Sequence, residues 1–463
     1  MSIQVEGGIE SAGIELHGIE RVPPDKRTHL RIFDNFTLWA SANLVLPALA
    51  LGSLATGIFK LGFWDSVIVI VLFNILGILP VAFFSTLGPK LGLRQMTISR
   101  FSFGWVGAKI MALFNVAACI GWSAVNVILG GELVNKITNG VVPGWAGILI
   151  LAALTTYVTL YGYNYVHRYE RYAWLPMLFV FAIIFVVSAP DFRPLTSNAT
   201  GWVKFASFMS FGSTVYGFAT GWSSYAADYS VNQPETTKSS HVFWLTFLGC
   251  FLPLVSLEIL GLALTTAPAL NGKLGGALFS AALSPMGSFG NLLLVFLTLS
   301  IIANNIPNDY SLALSIQVLG GWFQRVNRVV WTLVGSLIYV IIGIAAADKF
   351  SQTLESFLLL VAYWLGPWSI ILILEHFIFR QGIYNVDDWN TPRKLPNGWA
   401  ALVSLFIGLF GVYLGAAQEK FVGPIAGLVN QPFGIDIGFE LGAIMAGIAY
   451  LLLRRIELQN NHR

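Results

Sequence analysis

Apolar runs of about 20 residues, the length a helix needs to cross roughly 30 Å of hydrocarbon, recur along nearly the whole of this 463-residue chain. That recurrence leaves no stretch long enough for a sizeable water-soluble domain. Open sheet cannot cross lipid with unpaired backbone groups, and the runs lack the apolar/polar alternation of a barrel strand, so helices are the physical solution. Charged residues make up only 11% of the chain, against about 25% in an average soluble protein.

Reading the runs between charges and turn residues places twelve helices near 36–59, 65–87, 106–135, 144–163, 171–188, 203–227, 241–267, 287–319, 328–347, 353–379, 398–416 and 435–453. The first 35 residues lack the apolar core of a signal peptide and read as a polar tail. If that tail is cytoplasmic, 19 of the 26 Lys and Arg residues fall on the same side, and the other side keeps only Lys60, Lys136, Arg193, Lys204, Lys273, Lys349 and Lys420. The bias follows the positive-inside rule and puts both termini in the cytoplasm. The net charge of +3 carries less information than this distribution. Cys119 and Cys250 both sit in apolar spans, as buried thiols and not as a disulfide framework.

Spans one ("FTLWASANLVLPALALG") and six ("GSTVYGFATGWSSYAAD") carry small and polar residues where a stable apolar helix would have Leu and Ile. Each is a candidate broken helix. Asn43 and Asn126 in the first half are spaced much as Trp222 and Asn308 are in the second. Two related five-helix halves point to an inverted-repeat transporter with its site at the repeat interface. The organisation expected is a tail over 1–35, repeats over 36–188 and 189–379, a loop over 380–397, two added helices over 398–453 and a tail over 454–463.

Three constellations carry chemistry. Trp122 and Asn126 in "CIGWSAVN" lie four residues apart and share a helix face. The indole offers a stacking surface and the amide both a donor and an acceptor, a combination that reads the edge of a flat heterocycle. The plain structural alternative is a tryptophan filling a helix interface beside an amide bonded to a neighbouring helix. Trp222 follows Gly221 in the span-six break. Span eight holds "ANNIPNDYS", with Asn304, Asn305, Asn308 and Asp309 around Pro307. The proline deprives the helix of one backbone bond, and one asparagine is expected to satisfy the carbonyl it frees. Asn304 and Asn308 form one polar stripe, Asn305 and Asp309 another. So many polar groups in mid-span are costly, which makes a binding or conduction role the default.

The ionisable residues expected inside spans are Glu132, Asp228, Glu258 and Asp309, with Glu355 and Glu375 nearer helix ends. Asp228 and Asp309 are candidates for cation coupling, although Asp228 also suits a helix end reaching the interface and Glu258 a structural bond. The chain has no HExxH, GxSxG or GxxxxGK[ST], so zinc-protease, nucleophile-elbow and ATP-binding chemistry are not indicated. Transport would then draw on an ion gradient. The repeated filter elements of a channel are not seen.

Taken together, "GIERVPPDKR", "GPKLGLRQMTISRFSFG", "CIGWSAVN", "ATGWSSYAADYSVNQP", "NNIPNDYSLALS" and "FRQGIYNVDDWNTP" resemble, in order and across nearly the whole chain, the purine-cytosine permeases of the nucleobase cation symporter family 1, in particular the fungal-type branch. The resemblance implies an all-α membrane protein of twelve helices, LeuT-like, with two inverted five-helix repeats and two peripheral helices. It also implies import of cytosine or purines with a cation across the cell membrane. Substrate contacts are implied at Ser41, Trp122, Asn126, Trp222 and Asn308, with Ser224, Asn304 and Asn305 as further candidates. Some relatives carry an acidic residue where this chain has Ser223 and Ser224, which leaves the base open. Proton coupling is expected over sodium, through Asp228 or Asp309. The sodium alternative would use hydroxyls such as Ser311 and Ser315, and would extend to allantoin, uracil or another heterocycle. An intramembrane enzyme or receptor is the reading from a different class. The partners expected are the small base, the cation and the bilayer, with no nucleic acid, cofactor or metal.

Overall fold

A computed structural model describes residues 18–197, 199–347, 350–429 and 432–461. The first 17 residues of the expected N-terminal tail and the last two of the chain lie outside the described residues. A helix, or a helix interrupted once, covers each of the twelve expected ranges: α1 Asp34–Asn43, α2 Leu46–Gly57, α3 Phe63–Ser85, α4 Arg100–Ile137, α5 Gly144–Leu160, α6 Tyr163–Ser188, α7 Gly201–Thr220, α8 Ser239–Thr266, α9 Gly287–Val318, α10 Arg328–Ala346, α11 Phe350–Leu374, α12 Trp399–Gly415 and α13 Gly438–Asn461. Among the described residues, seven helices are long and apolar enough to cross a membrane, and the α1–α2 pair makes an eighth, bent span. Large apolar side chains such as Leu72 and Leu76 on α3 and Leu337 and Ile341 on α10 stay exposed on the bundle's outside. Lipid, not water, suits such a surface, and the protein is a multi-pass membrane protein.

Span one breaks where expected. Leu44 leaves the helical region, Val45 is extended (φ −139°, ψ 157°), and the axis turns by 52°. Pro47, at the start of α2, has no N–H to give the preceding turn, so the chain restarts there instead of continuing. Close packing of α2 on α8 depends on small residues: a Cβ at Gly52 would lie 1.9 Å from the Glu258 carbonyl oxygen.

Span six is interrupted as expected too, by a tighter winding and a kink. α7 is regular to Thr220 and then tightens into a 3₁₀ segment, Gly221–Tyr229, interrupted at Tyr225 (φ −146°). Residues 222–225 are all buried there.

Span five begins at Tyr163, eight residues before the expected start. The charges in "YVHRYERY" read as loop, yet His167 and Glu170 face the interior and are buried, so the helix carries them inside. At the other end of the chain, α13 runs on to Asn461. Arg454 is buried there, bonded to Glu375 (2.8 Å) and Glu457 (2.7 Å). A short hairpin, Ala417–Gln418 paired antiparallel with Phe421–Val422, lies between α12 and α13.

Candidate functional site

The α1–α2 break, the 3₁₀ segment, α4 and α9 meet in the middle of the bundle. Pro307 sits in a continuous α9, and all three asparagines around it are buried. The two stripes separate as expected. Asn305 Nδ2 and Asp309 face α4, with Asn305 donating to the Ser123 carbonyl (3.5 Å) and Asp309 Oδ1 accepting from Ser123 Oγ (3.1 Å). Asn304 and Asn308 face the two breaks. Asn304 Nδ2 donates to the Ala42 carbonyl beside the span-one break (2.7 Å), and Asn308 Oδ1 accepts from the Tyr225 hydroxyl (2.6 Å).

Asn126 joins the stripes, its Nδ2 donating to Asn304 Oδ1 and Asn305 Oδ1 (2.6 Å to the latter). Its own Oδ1 is buried and has no partner, an uncommon condition for a buried amide oxygen. One expectation needs correcting. Asn308 Nδ2 donates to the Asn304 carbonyl (3.1 Å), not to the Ala303 carbonyl that Pro307 leaves without its usual donor, because an i to i−4 reach along the helix ends one residue further on.

Trp122 and Trp222 are both buried near this amide cluster, but their rings do not stack on each other. Trp122 packs edge-on against Phe218 (5.0 Å) and Phe357 (5.1 Å), and Trp222 against Trp39 (5.5 Å) and Tyr225 (5.8 Å). Gly221 matters to this arrangement, since a Cβ there would lie 3.0 Å from the Trp122 ring. Trp222 Nε1 donates to Asn43 Oδ1 (2.8 Å). Ser224 Oγ closes its own turn on the Gly221 carbonyl (3.3 Å). Ser41 Oγ has no hydrogen-bond partner and faces Glu170 on α6.

Of the candidate coupling residues, Asp309 borders the amide cluster through Ser123, and Asp228 lies further along the 3₁₀ segment. Asp228 accepts from the Gln95 amide (2.8 Å) and Ser311 Oγ (2.9 Å), while Arg94 Nη1 donates to the Asp228 carbonyl (2.6 Å). This carboxylate is therefore buried within a knot of α9, the 3₁₀ segment and the segment before α4, not at the interface. Asp309 is held between Ser123 and the Tyr339 hydroxyl (3.2 Å). Ser311 and Ser315 are engaged as well, Ser315 Oγ accepting from Asn115 (2.8 Å).

Toward the N-terminal side, Arg171 pairs with Asp34 (3.0 Å from Nε), which His29 also contacts (2.9 Å). His29, Asp34 and His167 come within 4.8 Å of one another. Arg171 already occupies that carboxylate, so the group is an ion-pair cluster in its present form. On the opposite side a vestibule of about 1160 Å³ is lined by residues including Phe59, Glu132, Ser210, Glu355 and Ser356. Phe357, next along α11, closes over Trp122. Sequence reasoning missed Tyr225, Phe218, Phe357 and Glu170: the first three look like ordinary core aromatics, and Glu170 fell in a presumed loop.

Similarity to known proteins agrees with this geometry. Residues 21–431 match the family described as permease for cytosine/purines, uracil, thiamine, allantoin. The chain is 43% identical to Purine-cytosine permease fcyB of Emericella nidulans, over 96% of this chain and 89% of the relative. It is 40% identical to Purine-cytosine permease FCY2 of Saccharomyces cerevisiae, over 97% and 87%. In fold it is similar to Mhp1, a nucleobase-cation-symport-1 family transporter solved closed with bromovinylhydantoin bound (TM-score 0.73, 18% identity, 96% and 95% coverage), and to the inward-facing form of Mhp1 (TM-score 0.70, 15% identity, 96% of each chain). The LeuT-like architecture implied by the motif resemblance is the one these structures share. The chain is a transporter and not an enzyme, and it belongs to the family of permeases for cytosine/purines, uracil, thiamine and allantoin.

Proposed function

We propose that this protein imports cytosine or purines across the cell membrane by proton symport, with the N-terminal side in the cytoplasm, and that the base sits at the two breaks against Trp122, Trp222 and the α9 asparagines. The observation that carries this reading is the buried, unpartnered Oδ1 of Asn126 beside the Trp122 ring. An amide oxygen left in that state costs roughly 1–3 kcal/mol, and an N–H on a base edge would repair it. Asn308 offers the second polar contact if Tyr225 yields its bond. A planar ring entering there finds aromatic faces from α4 and the 3₁₀ segment. The repeats 36–188 and 189–379 would rock against each other around this point.

Lys and Arg weighting supports the orientation. Proton coupling is favoured over sodium because the hydroxyls of Ser311 and Ser315 are already bonded to Asp228 and Asn115, which leaves buried carboxyls as the chemistry at hand. The test is uptake of radiolabelled cytosine, adenine, hypoxanthine, uracil and allantoin into cells expressing the chain. Collapse of cytosine or purine uptake by a protonophore supports the reading. Uptake that follows a sodium gradient at fixed pH and clamped potential overturns the proton assignment.

A further inference from the structure

Glu170 is fully buried on α6, and neither of its carboxyl oxygens has a hydrogen-bond partner. From α1, the Ser41 hydroxyl faces it, close enough to interact but outside hydrogen-bond geometry, and is itself unpartnered. Tyr169 is its neighbour on α6. Arg171, the next residue, turns away to Asp34. Among the described residues, Glu170 takes part in no ion pair. A bare carboxylate in such a place is strongly disfavoured, and a bound proton is the simplest way to remove its charge.

One turn earlier on α6, His167 is also buried, with Nε2 bonded to the Tyr229 carbonyl (2.9 Å) and Nδ1 unpartnered. A bond to a carbonyl fixes the hydrogen on Nε2 and leaves Nδ1 as the basic nitrogen. Residues three apart are neighbours on a helix surface. Around His167 stand His29 and Asp34 from the N-terminal segment and α1, Arg171 from α6, and Tyr163 and Tyr229 at ring contact. Among the described residues, this pair alone combines full burial, free acceptor atoms and a place against the half of span one that carries Ser41.

We propose that Glu170 carries the coupling proton and that His167 Nδ1 receives it for release toward the N-terminal side; this rests on the proton-symport reading above. In the forward step the Glu170 O–H bond breaks and an N–H bond forms on Nδ1, leaving a carboxylate and an imidazolium. The imidazolium then loses its Nδ1 proton to water beside the His29–Asp34 cluster, the Glu170 carboxylate takes a new proton from water on the opposite side when the site next opens there, and one proton crosses per cycle. Coupling to the base runs through α1. Ser41 faces Glu170, while the next residue, Ala42, holds Asn304 through its carbonyl. A substrate that moves α1 therefore changes what Glu170 faces, which makes the two affinities interdependent in both directions.

The test uses the purified full chain in sodium-free proteoliposomes with radiolabelled cytosine and a trapped pH-sensitive dye. A gradient of about one pH unit drives about tenfold accumulation through one-proton coupling. The wild type is expected to reach that level and to acidify the lumen. Glu170→Gln is expected to stop at equilibration with no dye response, and its cytosine-induced tryptophan quenching should no longer depend on pH. His167→Gln is expected to move the pH of half-maximal uptake, and an unmoved profile removes it from the route. Should Glu170→Gln fail to fold, Glu170→Asp decides, with a shifted pH profile expected and an unaltered one overturning the proposal. Wild-type coupling with full coupling in Glu170→Gln sinks Glu170 alone. A wild type that moves no protons, or accumulates cytosine only on a sodium gradient, sinks the symport reading and Glu170 with it.

Discussion

Trp222 Nε1 donates to Asn43 Oδ1 across 2.8 Å, which ties the 3₁₀ segment of span six to the last helical residue before the break in span one. The two interruptions are thus one mechanical unit. Asn43 in turn donates to the Trp39 carbonyl (2.8 Å), so its amide is used at both ends, and Trp39 packs on the Trp222 ring.

Truncating either indole should weaken the site. Stacking a base on an aromatic side chain is worth roughly 1–3 kcal/mol, so Trp122→Ala and Trp222→Ala are each expected to raise the cytosine inhibition constant about 5- to 150-fold. Trp222→Phe separates ring from hydrogen bond: it keeps a stacking face but strands Asn43 Oδ1. A loss near the lower end of that range is expected, with reduced thermal stability. Competition uptake and melting of the detergent-solubilised protein measure the two effects.

The two α9 stripes predict different phenotypes. Asn304 bridges Asn126 and the Ala42 carbonyl, so Asn304→Ala removes an internal strut and should lower expression or melting temperature without reordering competing bases. Asn308 Oδ1 is held only by the Tyr225 hydroxyl among the described residues, and Asn308→Ala should change which purines and pyrimidines compete. A site that pairs with a base edge rejects ligands lacking the matching group. Reordering in Asn304→Ala alone would transfer recognition to that residue.

Asp228 is expected to serve closure of the N-terminal side. Asp228→Ala leaves the Gln95 amide and Ser311 without their acceptor and a buried Arg94 beside an altered charge. Each buried donor stranded in this way costs about 1–3 kcal/mol, so the yield of folded protein should fall. Asp228→Asn keeps one acceptor and should fold, with slower transport. Fluorescence size-exclusion profiles beside initial uptake rates distinguish the two.

The carboxyl of Asp436, in the connection before α13, accepts from the Tyr363 hydroxyl and the Ala417 amide (2.7 Å), while the Asp436 N–H donates to Ser210 Oγ (2.9 Å). Burial raises its carboxyl from the usual 3.8 to about 6, against the lowering effect of those donors. A group raised in the folded state stabilises fully below its unfolded value and loses that contribution as pH rises through the folded one. Melting temperature should therefore carry a component that declines between about pH 4 and pH 6. Asp436→Asn should flatten that component; a wild-type slope unchanged in the variant would remove Asp436 as its source.

Helical spans, a break within span one and the polar stripes of α9 were legible in the chain because each is a local matter. Burial in lipid demands apolar runs of set length, small and polar residues in mid-span weaken a helix where they stand, and residues four apart share a face wherever the helix goes. The family was legible too, since its motifs are short and ordered. Local patterns also misled. The charges of "YVHRYERY" made a membrane segment look like loop, because sequence shows that a residue is ionisable and not which way it points. Only the packed bundle turned Glu170 inward against Ser41 and sent Arg171 to Asp34. The partners of the site were likewise beyond reach of spacing. That Asn126 spends its donor on Asn304 and Asn305 and keeps an unpaired oxygen, or that Phe357 closes over Trp122, depends on helices about 180 and 235 residues apart along the chain. Hydrogen bonds and ring contacts act over a few ångströms. Tertiary structure alone decides which distant groups come within that range.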